Sequence, residues 1–241
     1  MRKKCPFMIE ITSIRKSYHK KKILSDVSVT AHEGECIGIV GCNGCGKSTF
    51  LSIIAGAVKA DGGSLHIEGE DVFKNPRLFS KKIGYVPQEN PLIEELSVLD
   101  NLKLWYCDIP NQLKKDLKED GILTRFGVDQ MIKTKVSKLS GGMKKRVSIG
   151  CALAKKPPIL ILDEPGAALD FVLKAQIIAY MKDYMKQGGT IFLTSHEQGE
   201  LSVCNRMIYI KDGISEEITP KMKSPDFFDW LTAKMEAENE A

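Results

Sequence analysis

The run Gly41-Cys42-Asn43-Gly44-Cys45-Gly46-Lys47-Ser48-Thr49 has the residue types and spacing needed to cradle phosphate. Its glycines let a loop turn so that backbone N–H groups point inward at anionic oxygens. The start of a following helix adds a favourable field for an anion. Lys47 is then expected to reach the β- and γ-phosphates of a nucleotide, and the Ser48 hydroxyl to bind Mg²⁺. A glycine-rich turn by itself is only a turn. A short buried strand expected over residues 35–40 and a helix over 48–55 supply the context that phosphate binding requires.

A second constellation is Ile159-Leu160-Ile161-Leu162-Asp163-Glu164-Pro165. Four apolar residues suit a central parallel strand, and carboxylates at its carboxyl end emerge at the crevice where α/β ligands bind. An Asp-Glu pair alone reads as a solvated strand end. Beside a phosphate-binding loop it resembles a Walker B strand, with Asp163 holding Mg²⁺ through its water shell and Glu164 polarising the attacking water. A third feature is Leu139-Ser140-Gly141-Gly142-Met143, which opens a helical run. In isolation this is an N-cap serine with flexible glycines, although a helix start of this kind is also a phosphate cradle.

The elements that must position these groups follow from periodicity. Strands are expected over residues 9–14 and 23–30, joined by a turn at Lys20-Lys21-Lys22, and over 65–67 after a turn at Gly62-Gly63. A further strand over 83–86 is ended by Pro87. Apolar spacing of three and four predicts helices over 97–106, 111–126 and 142–154. Strands return at 159–162, 190–194 and 207–210, with a helix over 171–186 ended by Gly188-Gly189. The pattern is a βα alternation with a helical insertion at about residues 91–157. Residues 1–223 read as one domain and 224–241 as a helical tail with an acidic end.

Composition narrows the function classes. With 241 residues, 43% hydrophobic and 27% charged, the chain reads as globular. Its apolar runs are far short of a membrane span, and no secretory signal is expected behind the basic N-terminus. The net charge of +4 comes with scattered lysine clusters and no basic, aromatic-interleaved stripe, so nucleic-acid binding is not expected. Seven scattered cysteines suit a reducing compartment. Cys42 and Cys45 form a CxxC, but no second ligand pair is spaced for zinc. A thiol beside a helix N-terminus is expected to have a depressed pKa, so these two are expected to react with oxidants and alkylators unless bound nucleotide protects them; the alternative is that they are simply small residues filling the loop.

Taken in order, the motifs resemble the ATP-binding-cassette (ABC) family, whose signature reads LSGGQ. The chain is similar to the ATP-binding subunit of bacterial ABC transporters. The resemblance implies a P-loop NTPase (RecA-like) α/β core, an antiparallel β subdomain and an inserted helical signature subdomain. It implies ATP and Mg²⁺ as ligands, and a homo- or heterodimer in which Ser140, Gly141 and Gly142 close on ATP held by the partner's loop. By the same resemblance Tyr18 stacks on adenine, Gln88 ligates Mg²⁺ and senses the membrane partner, and His196 contacts the γ-phosphate. Met143 stands where the family has Gln. One missing hydrogen bond of about 0.5–1.5 kcal/mol implies a threefold to tenfold weaker contact. Ala168-Leu169-Asp170 matches the D-loop ending, while Gly166-Ala167-Ala168 departs from its commoner serine-containing form.

The family implication is an energy-coupling ATPase at the cytoplasmic membrane face, with permease subunits docking near residues 88–104. There Pro91, Leu92, Ile93, Leu96 and Leu99 are expected to supply an apolar groove. The alternative is a non-transport ABC ATPase acting on ribosomes or nucleic acid. One cassette, and a stretch between Lys47 and Asp163 without sustained heptads, disfavour it. The single short cassette and the run Leu-Ser-Gly-Gly-Met-Lys-Lys-Arg resemble export-type systems, with an importer as the open alternative.

Overall fold

The computed structural model describes residues 8–167, 169–218 and 227–239. The basic N-terminal stretch with Cys5, Ala168 of the D-loop, and residues 219–226, where the tail was expected to begin, lie outside the described residues.

Strands β3 (Cys36–Val40), β7 (Ile159–Asp163) and β8 (Thr190–Thr194) are buried at every position, as strands covered on both faces must be. They pair in parallel with β8 in the middle. β6 (Ile83–Val86) extends the parallel set beyond β7, and β9 (Arg206–Lys211) extends it beyond β3. β10 (Ile214–Ile218) returns antiparallel to β9 and touches β2 (Lys21–His32) through the pair Ile214–Asp26. From β2 onward the sheet is antiparallel, through β1 (Met8–Tyr18), β4 (Gly62–Ile67) and β5 (Glu70–Asp71). The full order is β5-β4-β1-β2-β10-β9-β3-β8-β7-β6. This is the expected α/β core with an antiparallel subdomain.

Helix α1 (Lys47–Ile54) follows β3, and α2 (Arg77–Lys82) precedes β6. The insertion holds α3 (Val98–Trp105), α4 (Pro110–Asp116), α5 (Ile122–Arg125) and α6 (Gly141–Leu153). Then come α7 (Phe171–Lys186), α8 (Gln198–Leu201) and α9 (Phe227–Asn239). Side-chain caps start three of the helices. The Ser97, Ser140 and Asp170 side chains accept from the amides of Asp100, Met143 and Leu173, a contact worth about 1 kcal/mol each. One apolar cluster joins the parallel strands to the inserted helices, α7 and α9, and a second packs α1 against the antiparallel strands. Helix α9 is anchored in the first by buried Phe227 and Leu231.

Three local expectations are corrected. The first hairpin turns at His19 and Lys20, so Lys21 and Lys22 already belong to β2. Gly62 and Gly63 are not a turn but the start of β4, where the β1–β4 register shifts. Gly63 is needed because its φ is +95° and a Cβ would lie 2.5 Å from the Ser13 carbonyl oxygen. The expected helix over 111–126 is two helices. Asp116 turns inward to accept from the Tyr106 hydroxyl at 2.9 Å, and the chain closes so tightly that a Cβ on Gly121 would lie 2.2 Å from the Asp116 carbonyl oxygen. Strands β5 and β10 and helix α2 had no clear periodic signal.

Candidate active site

The carboxyl ends of β3, β7 and β8 bring most of the candidate residues together. The loop of residues 41–46 leaves β3 and delivers Lys47 and Ser48 to the first turn of α1. Gly46 caps that helix in the left-handed region, φ +107°, where a Cβ would meet Leu24 at 2.7 Å. Asn43 and Gly44 face solvent. The Lys47 ammonium donates to the carbonyls of Gly41 at 2.8 Å and Cys42 at 3.0 Å, so it sits over its own loop. Ser48 Oγ donates to Asp163 Oδ1 at 3.2 Å, although 115 residues separate the two. A hydroxyl and a buried carboxylate side by side are hard oxygen ligands. Mg²⁺ needs only such a pair when phosphates and water complete its shell, so these residues fit the ion.

Glu164 follows directly, and it is not in strand geometry. Its φ is +48°, a conformation that costs a non-glycine residue about 1–3 kcal/mol and that persists where surrounding structure enforces it. Here the enforcer is Thr194 at the end of β8. Its carbonyl accepts from the Glu164 amide at 3.0 Å, and its hydroxyl accepts from the same amide at 3.2 Å. The Thr194 hydroxyl in turn donates to Asp163 Oδ1. The turn aims the Glu164 carboxylate at two of the candidates. Gln88 Nε2 donates to Oε2 at 3.3 Å, and His196 Nε2 lies 3.4 Å from Oε1. Gln88 therefore meets Glu164 here, rather than the Ser48–Asp163 pair. Thr194 was not singled out in the sequence. Its only signal is its place two residues before His196.

Tyr18 and the signature residues Ser140, Gly141 and Gly142 stand apart from this group. Tyr18 ends β1 half-exposed, with the Lys16 ammonium 5.3 Å from its ring centroid. Ser140 and Gly141 are exposed, and Ser140 Oγ is taken by the Met143 amide at 3.3 Å. Met143 packs half-buried against the helical cluster, so its side chain already serves its own subunit. Of the expected docking groove, Leu92 is buried in the core, Leu96 and Leu99 are half-buried, and Pro91 and Ile93 are exposed; Leu104 and Trp105, outside that groove, are exposed as well.

The sequence also gave no sign that the C-terminal helix borders this site. Cys42 Sγ donates to the Met235 carbonyl at 3.4 Å, and a cavity of about 400 Å³ lies between Gly41, Lys47 and His196 on one side and Phe228, Leu231 and Met235 on the other. A larger cleft, about 940 Å³, lies among Arg125, Pro158, Tyr180 and Gly189. That is at the amino ends of β7 and β8, away from the gathered residues.

The expectation of a depressed thiol is corrected for Cys45. Burial pushes the Cys45 pKa up, and the nearby Lys47 ammonium and loop amides offset only part of it. A raised pKa means less thiolate and slower attack. At pH 7.5 iodoacetamide is therefore expected to label exposed Cys107 well before Cys45, with Cys45 labelling accelerating as pH rises. Peptide mapping by mass spectrometry measures both. Cys45 labelled first would overturn this account of its environment.

Comparison with known proteins adds four findings. The profile of the family described as ABC transporter matches residues 24–167. The chain is 36% identical over 210 residues to the linearmycin resistance ATP-binding protein LnrL of Bacillus subtilis, covering 86% of this chain and 67% of that protein. It is 33% identical over 211 residues to the lipopolysaccharide export system ATP-binding protein LptB of Haemophilus influenzae, covering 83% and 86%. Among solved structures it is similar to the dimeric post-hydrolysis ATP-binding cassette MJ0796 bound to ADP and Pi. There the TM-score is 0.79 at 28% identity, with 87% of this chain and 97% of that chain covered.

Proposed function

The chain belongs to the ABC transporter family and is an ATP-hydrolysing, energy-coupling cassette; from that premise we propose how its residues divide the work. The observation that carries the reading is the Glu164 carboxylate, held between Gln88 and His196 immediately after the Ser48–Asp163 pair. In this reading the loop amides of 41–46 and Lys47 hold the β- and γ-phosphates, with Cys42, Asn43, Gly44, Cys45 and Thr49 shaping the cradle. Tyr18 stacks on the base. Ser48 and Asp163 hold Mg²⁺, with Gln88 joining them. Bound there, Mg²⁺ supplies charge neutralisation of the transferring phosphoryl group.

Glu164 accepts the proton of the attacking water, and His196 keeps the carboxylate and the γ-phosphate in register. Thr194 fixes the backbone of the whole turn. The trans contact comes from Ser140, Gly141 and Gly142, which present a helix start to the ATP of a second cassette. Residues 1–223 act as one ATPase domain and residues 224–241 as its tail. Permease subunits dock beside Gln88, where exposed Ile93, Leu104 and Trp105 offer apolar surface, and in this reading the chain works at the cytoplasmic membrane face. Among the described residues no helix is long and apolar enough to cross a membrane.

Gly141→Asp tests the trans contact. Gly141 is exposed and has no left-handed backbone to protect, and an acid at the first helical position is favourable for the helix itself. The variant is expected to melt no lower than the parent chain, yet to lose ATP-induced dimerisation by about tenfold or more through repulsion from phosphate. Size-exclusion chromatography with non-hydrolysable ATP measures it. Undiminished dimerisation would sink the head-to-tail arrangement. In parallel, Leu104→Asp is expected to release the chain from membranes that hold its permease, and retention there would move the docking site elsewhere.

A further inference from the structure

One cation near the site has no part in that reading. Lys145 lies in the second turn of α6 and is 3% exposed. Its ammonium donates to the Pro87 carbonyl at 2.9 Å and the Gln88 carbonyl at 3.0 Å. Those two carbonyls belong to the turn after β6, the turn that carries the Gln88 amide to Glu164. Removing an ammonium from water is costly unless it is well partnered, and an apolar side chain of the same length would pack this space more cheaply. Burial accordingly pulls the Lys145 pKa down, while the charges of Asp163, Glu164 and Glu200 act in the opposite direction. The flanking cations are only partly buried, and each has a carboxylate partner. Lys144 pairs with Glu94, and Arg146 with Asp170. Only Lys145 turns inward.

We infer that Lys145 is a positioning residue for hydrolysis: its two donated hydrogen bonds fix the Pro87–Gln88 backbone, and with it the reach of the Gln88 side chain to Glu164 and to the neighbouring Ser48–Asp163 pair. Because Lys145 rides on α6, the same contacts tie the helix start at Ser140–Gly142 to the carboxylate of its own subunit. A signature closing on the partner's ATP is thereby mechanically joined to the catalytic turn of the chain that carries it. The inference rests on the roles given above to Gln88 and Glu164.

A double-mutant cycle on the full chain tests it, with phosphate release from MgATP as the readout. Lys145→Met keeps the stem and removes the donors. It is expected to lower kcat about tenfold, the effect of roughly one to two such hydrogen bonds, while KM for ATP stays within about twofold. In a Gln88→Ala background the same substitution is expected to cost less than about twofold, because the group it positions is gone. Lys145→Gln, which retains an amide donor, is expected to recover part of the loss, and it carries the cycle if Lys145→Met does not fold.

Equal fold-losses in both backgrounds, or a kcat within twofold of the parent chain, would overturn the inference. Glu164→Gln serves as the control. If it is inactive while the Lys145 variants are silent, only the Lys145 inference fails. If Glu164→Gln remains active, the reading of the site fails instead.

Discussion

Glu164→Gln is expected to stop turnover and leave ATP binding intact. Gln has the size of Glu and can still meet Gln88 and His196, but it cannot take a proton. Loss of a positioned general base costs about 10²–10⁴ in rate, so a fall in kcat of at least about 100-fold is expected. The fold is expected to tolerate the change. The strained φ of +48° is set by the backbone contacts to Thr194, not by the carboxylate, and the side chain is 22% exposed. The Kd for ATP is therefore expected to stay within about threefold, since the interaction lost belongs to the transition state. A second readout follows from the dimeric arrangement. If hydrolysis reopens the dimer, the variant accumulates as an ATP-loaded dimer at concentrations where the parent chain is monomeric. Phosphate release and light scattering measure the two effects. Residual activity within tenfold of the parent chain would remove Glu164 from the role of base.

How much of this site was legible depended on whether its parts are contiguous in the chain. The loop at 41–49 and the strand ending in Asp163-Glu164 each carry their meaning in one short run, because loop geometry and strand burial are local requirements. Thr194 does not. Its hold on Glu164 exists only because β7 and β8 pair with Asp163 opposite Thr194, and a register across 31 residues leaves no local mark. Lys145 sits within three consecutive cations, which read as a solvated face, and only the packing of α6 on the β6 turn makes one of them buried. The split of residues 111–126 has the same origin. Apolar spacing runs on through the break, while the buried Tyr106–Asp116 hydrogen bond decides where the chain turns. For Cys45 the helix field and the Lys47 charge were visible in the sequence, but burial, the larger influence, was not. The contact of α9 with Cys42 spans 193 residues and had no sequence signal at all.

The phosphate loop is expected to be least tolerant at its first glycine. Gly41 has φ +145°, and a Cβ there would lie 2.4 Å from the Ile210 carbonyl oxygen and 2.9 Å from Cys45 Sγ. The first neighbour is backbone in β9, whose position is locked by the pairing of Val40 with Tyr209, so it cannot swing away as a side chain would. Gly41→Ala must therefore push the loop off β9 or distort both. Overpacking of this kind costs about 1–3 kcal/mol, and the left-handed backbone adds a comparable strain. The two together are about 2–6 kcal/mol, so at about 2–4 °C per kcal/mol for a chain of this size a melting temperature lower by about 4–24 °C is expected. The displaced loop would also misplace its amides and Lys47, which closes over the Gly41 carbonyl, so ATP affinity is expected to fall more than tenfold. Gly44→Ala separates the two causes. Gly44 shares the left-handed region at φ +78°, but a Cβ there meets nothing within 4 Å. It bears only the conformational penalty, about 1–2 kcal/mol, and is expected to melt about 2–8 °C below the parent chain. Thermal melts and ATP titration of the pair decide the matter. If Gly41→Ala melts and binds ATP no worse than Gly44→Ala, the contact with Ile210 does not set the shape of the loop.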